Sequence, residues 1–331
     1  MSFEITSELL ANITSSIEVS NDKAIVALFE EMHYADIAEI LDELSFDNVV
    51  YIIKLLDSEK TSAVLMELDE DIREKTLQNL SAKEIAEEVE ELDSDDAADI
   101  IGELSQERQE AVLSKIEDEE HVKEIEELLA YDEDSAGGLM AKELVKVNEN
   151  WTVLKCVREM RAQAEEVTRV HSIYVVDDND KLKGRLSLKD LLITSTKTAI
   201  SEVYIPKVDF VNVHDNLDEV SNKMRKYDLE AIPVIDNNGV LLGRITIDDI
   251  VDVIKEGADK DYQLAAGLTQ DVEADDSILQ LTKARLPWLF LGLLGGVGAF
   301  LIMVMFENTF DENAVLFFFT PLIAAMAGNV G

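Results

Sequence analysis

A twelve-residue spacing runs through the first third of the chain and restricts what it can become. Leu44, Leu56, Leu68, Leu80, Leu92, Leu104 and Ile116 fall twelve apart, and so do Leu41, Ile53, Leu65, Leu77, Val89, Ile101 and Leu113. The residues that follow the first series are Ser45, Asp57, Asp69, Ser81, Asp93, Ser105 and Glu117, and six of these seven are good helix N-caps. Ser81 with Glu84 adds a capping-box pattern. A cap restarted every twelve residues does not suit one long helix, but it fits a short helix and a tight turn. Residues 1–134 are therefore expected to form an all-α solenoid of stacked helices, an architecture that serves as a scaffold or binding surface.

Charge says what such a surface attracts. Residues 1–134 hold 40 of the chain's 70 acidic residues but 9 of its 29 basic ones, within a formal net charge of −41. A polyanion of this kind does not recognise nucleic acid, and its self-repulsion favours bound or screening cations. Asp95 and Asp99, beside Asp96 in the string LDSDDAADIIGEL, are four apart and share a helical face. They either flank a cation or satisfy a helix dipole, and the residues alone carry both readings. The single cysteine, Cys156, excludes an intrachain disulfide, and His33, His121, His171 and His214 are too scattered for a Cys/His zinc cluster.

Residues 140–260 change character and contain a second repeat, at a spacing of 59. The string IYVVDDNDKLKGRLSLKDLL (173–192) matches IPVIDNNGVLLGRITIDDIV (232–251), aligning Gly184 with Gly243, Arg185 with Arg244, Ser187 with Thr246 and Asp190 with Asp249. Each copy reads as strand, turn, strand, helix, with Asp236 to Gly239 a hairpin turn. Each copy carries a hydroxyl and a carboxylate three residues apart, Ser187 with Asp190 and Thr246 with Asp249. These pairs suit an N-cap and its N3 acid.

Leu286 to Phe306 contains no charge, and its 21 residues span about 31 Å as a helix, the thickness of a bilayer core. Lys283 and Arg285 precede it while Glu307, Asp311 and Glu312 follow, which places the N-terminal side in the cytoplasm. The Met-Ser-Phe-Glu start has no secretory-signal pattern, in keeping with that orientation. A second uncharged run begins at about 314, and Asn329 between Gly328 and Gly331 needs a partner or a hydrated path there. No nucleophile, general-base pair or metal-ligand triad recurs at a useful spacing, so the chain does not read as an enzyme.

The 59-residue repeat resembles a tandem pair of cystathionine β-synthase (CBS) domains. Together with SAGGLM at 135–140, DDAAD on a late solenoid helix, KYDLEAIPVID and GRITIDDIVDVI in the second repeat, and GNVG in the second apolar run, it resembles the MgtE family of magnesium channels and transporters. The resemblance implies a multidomain chain: an acidic helical solenoid (1–134), tandem α/β CBS domains (135–200 and 201–260), a linker or plug helix (261–284) and transmembrane helices (285–331). The first of these helices is placed at about 286–306, and the second, from about 314, is incomplete.

The resemblance further implies a homodimeric, multi-pass protein of the cell (inner) membrane with cytoplasmic N-terminal domains. Its function would be magnesium transport, fed back by cytosolic Mg2+ binding that closes the solenoid on the CBS pair. Asp95, Asp99 and Asp249, with the backbone of Gly138, correspond to ligands between solenoid and CBS pair. Asp218, Asp228, Asp252 and Asp261 correspond to ligands between CBS pairs and at the linker, and Gly328 with Asn329 to the pore. Gly257, Lys260 and Ala63 stand where the family has acids, and Leu229 where an adenosine-facing aromatic is expected. ATP enters as a modulator at Ser187, Asp190, Thr246 and Asp249. The alternative is a membrane-anchored CBS regulator that senses adenylates and is indifferent to Mg2+.

Overall fold

The computed structural model describes residues 5–164, 169–265 and 278–305, together with Val167, Gly267 and Phe319. Helices α1 (Ser7–Glu18), α2 (Asp22–Glu30), α3 (Tyr34–Asp42), α4 (Phe46–Ile53), α5 (Ser58–Glu67), α6 (Glu70–Asn79), α7 (Ala82–Val89), α8 (Ser94–Gly102), α9 (Gln106–Leu113) and α10 (Glu119–Leu128) build the N-terminal domain. From α3 to α9 every helix starts twelve residues after the previous one, as the cap spacing predicts. Asp57 and Asp69 accept amide hydrogen bonds at their caps, and Ser81 with Glu84 closes the expected capping box. The last step differs. The cap of α10 is Asp118 and not Glu117, accepting from the amides of Glu120 and His121; the shorter Asp side chain reaches these amides where a glutamate caps poorly.

Helices two apart stack on each other: α3 on α5, α5 on α7, α7 on α9, α4 on α6 and α8 on α10. Both apolar series point into the resulting core, with Leu41, Leu65, Leu77, Val89 and Ile101 fully buried. Basic side chains close helix ends across the stack. Lys60 Nζ donates to the carbonyls of Phe29 and Glu30 (2.8 and 2.6 Å), and Arg108 Nη2 to those of Leu77 and Leu80 (3.0 and 2.7 Å), satisfying C-terminal carbonyls that the short helices leave open.

Two small sheets follow. β1 (Val145–Asn148) leads into α11 (Val153–Gln163), β2 (Ile173–Val176), β3 (Leu182–Leu186) and the short α12 (Leu188–Ile193); β4 (Val211–Asn212) leads into α13 (Leu217–Tyr227), β5 (Ala231–Ile235), β6 (Leu241–Thr246) and α14 (Ile247–Ala265). In each sheet the first pair is parallel and the second antiparallel, with the same irregularity, after Val175 in one and Val234 in the other. The two hairpin tips clasp each other reciprocally: Leu182 N–H donates to the Gly239 carbonyl and Leu241 N–H to the Asp180 carbonyl, both at 2.9 Å. Asp180 and Gly239 occupy equivalent places and both have positive φ, 55° and 83°.

Gly243 admits the entering chain. A Cβ there would sit 2.5 Å from the Ala141 carbonyl oxygen, whose residue pairs with Arg244 through two backbone hydrogen bonds of 2.8 and 2.9 Å. Gly243→Ala is expected to cost about 1–3 kcal/mol, because backbone and not a flexible side chain must give way; urea unfolding of the purified chain measures it.

The chain divides into two compact units after Val251. In the C-terminal unit, α15 (Ile278–Met305) contains a 24-residue stretch, Thr282–Met305, of mean hydropathy 2.3, long and apolar enough to cross a membrane. The helix begins before the apolar run, so Lys283 and Arg285 lie on it and Pro287 is inside it; absence of charge marks apolarity, not the first helical turn. Of the expected linker helix 261–284, residues 261–265 continue α14 and residues 278–284 open α15, while 266 and 268–277 lie outside the described residues. The second apolar run, from about 314, lies outside the described residues apart from Phe319.

Candidate metal centre

Helix α8 meets the second β repeat through its own N-terminus. Its cap residue, Asp93, makes no side-chain capping bond and instead faces Arg244 Nη2 on β6 at 3.3 Å. Capping comes from elsewhere. The Ser94 amide and hydroxyl donate to the two oxygens of Glu143, each at 2.9 Å, and the Lys142 amide donates to the Ser94 hydroxyl at 2.9 Å. A carboxylate here complements the positive helix end. Arg244 is only 6% exposed, and its Nε donates to the Glu143 carbonyl at 2.5 Å.

Carboxylates converge behind this lock. Asp95, Asp96 and Asp99 on the first turns of α8 act electrostatically on Asp249 in the first turn of α14. Burial, then Asp96 and Asp249, pushes the Asp95 carboxyl well above its ordinary range. Burial raises Asp96 to about 7, helped first by Asp249. Asp99, the most exposed of the three, rises to about 6 through desolvation, opposed by the Arg73 guanidinium and reinforced by Glu103 and Asp249. Asp249 is raised by burial although the Thr246 amide and hydroxyl donate to its Oδ2 at 2.9 and 2.6 Å. The nearby cations are engaged, Arg244 with Asp93 and Arg73 with Glu103 at 2.7 Å. Asp93, Asp95 and Glu143 each bring one oxygen within 4.8 Å of the others. An oxygen-only donor set of this density fits a hard divalent cation that keeps part of its water shell.

Of the residues singled out in the sequence, the structure puts Asp249 within electrostatic reach of both Asp95 and Asp99. Gly138 lies in the linker turn, its amide bonded to the Ser135 carbonyl at 3.1 Å; the charge of Glu133 in the same turn acts on Asp99. Asp218, Asp228 and Asp252 are exposed, on α13, at its left-handed C-cap and on α14. The side chain of Asp261 and both Gly328 and Asn329 lie outside the described residues. Asp93, read in the sequence as an N-cap but paired with Arg244, completes the junction with Glu143, Arg244 and Asp248, which had no assigned role there. Glu143 is 49 residues from the amide it caps, and no local pattern signals such a bond. Arg244 did carry a signal, its recurrence as Arg185.

The two hydroxyl–carboxylate pairs also part. Thr246 and Asp249 are bonded to each other as a helix cap. Ser187 makes no cap bond, and with Asp190 it lines an open cavity of about 470 Å3 whose wall includes His171, Arg185 and Lys189. A basic wall beside a hydroxyl and a carboxylate suits a phosphorylated sugar.

Comparison with known proteins matches this layout domain by domain. Residues 32–134 match the model of the MgtE intracellular N domain, and residues 136–195 and 200–256 match the CBS domain. A crystal structure of the cytosolic domain of the Mg2+ channel MgtE in complex with ATP is 33% identical, with a TM-score of 0.68 over 74% of this chain and 99% of that one. The chain belongs to the MgtE family. A second crystal structure, of the soluble part of a magnesium transporter, is 28% identical with a TM-score of 0.65, covering 76% of this chain and 98% of that one. The magnesium transporter MgtE of Thermus thermophilus is 36% identical over 203 residues, 61% of this chain and 45% of that protein. The chain thus spans about half the length of the MgtE relatives it matches. The helical N-terminal domain and the tandem CBS pair are those of the MgtE cytosolic domain.

Proposed function

We propose that this chain is the cytosolic sensor and first membrane segment of a magnesium transporter, and that Mg2+ bound between α8 and the second CBS repeat holds the helical domain closed. The observation that supports it most is the convergence of Asp95, Asp96 and Asp99 on Asp249. Assembling them without a cation puts like charges in a partly desolvated space, which their raised pKa values express. At low Mg2+ this repulsion opens the junction; at high Mg2+ the ion cancels it and the closed arrangement is favoured. In this reading the closed state restrains ion passage, the protein acts as a homodimer in the inner membrane, and its N-terminal domains lie in the cytoplasm. Asp218, Asp228, Asp252 and Asp261 are further ligands, between CBS pairs and at the linker. Gly328 and Asn329 line the pore.

Limited proteolysis of the whole chain in detergent tests the junction. Ser135, Ala136, Gly137 and Met140 are buried in the linker, so cleavage there requires opening. Mg2+ at ten times its Kd is expected to slow that cleavage about tenfold, with calcium and sodium as controls. Asp95→Ala combined with Asp99→Ala should remove the Mg2+ dependence. Protection by Mg2+ no greater than that of equal ionic strength overturns the sensor.

The cavity at Ser187 and Asp190 supports a second role, ATP as a modulator, in line with the relative solved with ATP. Protection by ATP or AMP alone makes the adenylate regulator the better account. Leu229 offers no aromatic face for the base, which leaves the ribose and phosphates as the main contacts.

A further inference from the structure

A second group of metal-ligating side chains lies on the far side of Glu143. His121 and Glu124 are three residues apart on α10 and share one face of it. Glu143 reaches them from the segment that enters the first β repeat. One ligand atom from each of the three falls within 4.8 Å of the other two. We propose that His121, Glu124 and Glu143 bind a divalent transition-metal ion, of the class of Zn2+, Mn2+ or Co2+, at a site that adjoins the aspartate junction and shares only Glu143 with it.

The donor chemistry makes the distinction. An imidazole with two carboxylates suits borderline metals, whereas Mg2+ prefers an all-oxygen shell. The imidazole is already oriented: His121 Nε2 lies 3.3 Å from the Val89 carbonyl oxygen. A carbonyl only accepts, so Nε2 is the donor and Nδ1 is the nitrogen left to ligate a metal, the arrangement that outer-shell partners impose on ligating histidines. Glu143 is oriented too, by the Ser94 amide and hydroxyl. Glu124 has no hydrogen bond or ion pair among the described residues, and the neighbouring Lys142 is paired with Glu127 at 2.7 Å. Metal bonds near 2.1 Å in a tetrahedron set ligands about 3.4 Å apart, so side-chain rotation by a fraction of a turn closes the site. Glu143 also borders Asp93 and Asp95, so an ion here ties α10 to a carboxylate that caps α8.

Cobalt absorption of the whole chain in detergent tests the site. One equivalent of Co2+ is expected to give a saturable visible band that survives millimolar Mg2+. His121→Ala and Glu124→Gln should each raise the Co2+ Kd at least tenfold, and Asp249→Asn should change it little. An unchanged titration in His121→Ala, ready displacement by Mg2+, or loss only in Asp249→Asn overturns the proposal. Should His121→Ala fail to fold by circular dichroism, Glu124→Gln decides, since that part-exposed side chain carries no packing bond. Failure here leaves the Mg2+ junction untouched, because Asp249 belongs to that junction alone.

Discussion

Replacing Arg244 with methionine is expected to destabilise the Met1–Val251 unit by about 3 kcal/mol, the lower end of what breaking a buried ion pair costs. Arg244 is almost wholly enclosed, pairs with Asp93 and donates to the Glu143 carbonyl. Methionine keeps much of the volume, so the loss reports charge and hydrogen bonding more than a cavity. Urea unfolding measures it, and the double variant with Asp93→Asn should recover part of the loss because no uncompensated acid remains. Without the guanidinium, the aspartates face a more negative junction, and Mg2+ should stabilise the variant more than the original. Equal stabilisation of both by Mg2+ would place the ion elsewhere.

The second large effect is on pH. Asp96 and Asp99 are raised to about 7 and about 6 in the closed junction, above the ordinary carboxyl value. A group with a raised folded pKa contributes stability that is fully present below its unfolded pKa and is lost as pH rises through the folded one. In Mg2+-free buffer, thermal stability should therefore fall as pH rises from about 5 to about 8. Asp42 and Glu88, raised to about 6 and about 7 inside the helical domain, add to this slope, so the informative quantity is a difference. Asp96→Asn should flatten the curve by on the order of 2 kcal/mol, discounted for solvent reaching the side chain. Saturating Mg2+ should flatten it as well, since the ion binds deprotonated ligands and protons compete with it. A curve for Asp96→Asn parallel to the original would show that Asp96 is solvated when the junction is closed.

How much of this was legible in the sequence depended on whether a feature was periodic. The caps from Ser45 to Ser105 and the two apolar series locate the helices because each obeys the same spacing. A third series, Ile40, Ile52, Val64, Ile100 and Val112, is also fully buried, but Thr76 and Glu88 interrupt it and hide its period. Both interruptions leave a mark: Thr76 Oγ1 is buried with no partner among the described residues, and Glu88 relies on the Ser58 hydroxyl at 3.2 Å. The repeat at 59 residues gave both sheets, yet could not say which hydroxyl–carboxylate pair stays open. That depends on the acidic end of α8, whose Asp93 meets Arg244 of the second copy. The aspartates of α8 stood out by type and spacing, whereas Glu143, distant in sequence and locally unremarked, needed the fold.

Helix α14 gives the junction mechanical reach. Asp249 sits in its first turn, and the hydrogen-bonded backbone runs without a break from Ile247 to Ala265, about 28 Å at 1.5 Å per residue. The reciprocal clasp between the hairpin tips makes the two sheets a fixed fulcrum. The part of the rod beyond Asp249, about 24 Å long, sweeps its far end through about 4 Å when tilted by about 10° there. In the proposed sensor, any adjustment around an ion at Asp249 would be enlarged along this helix in proportion to its length.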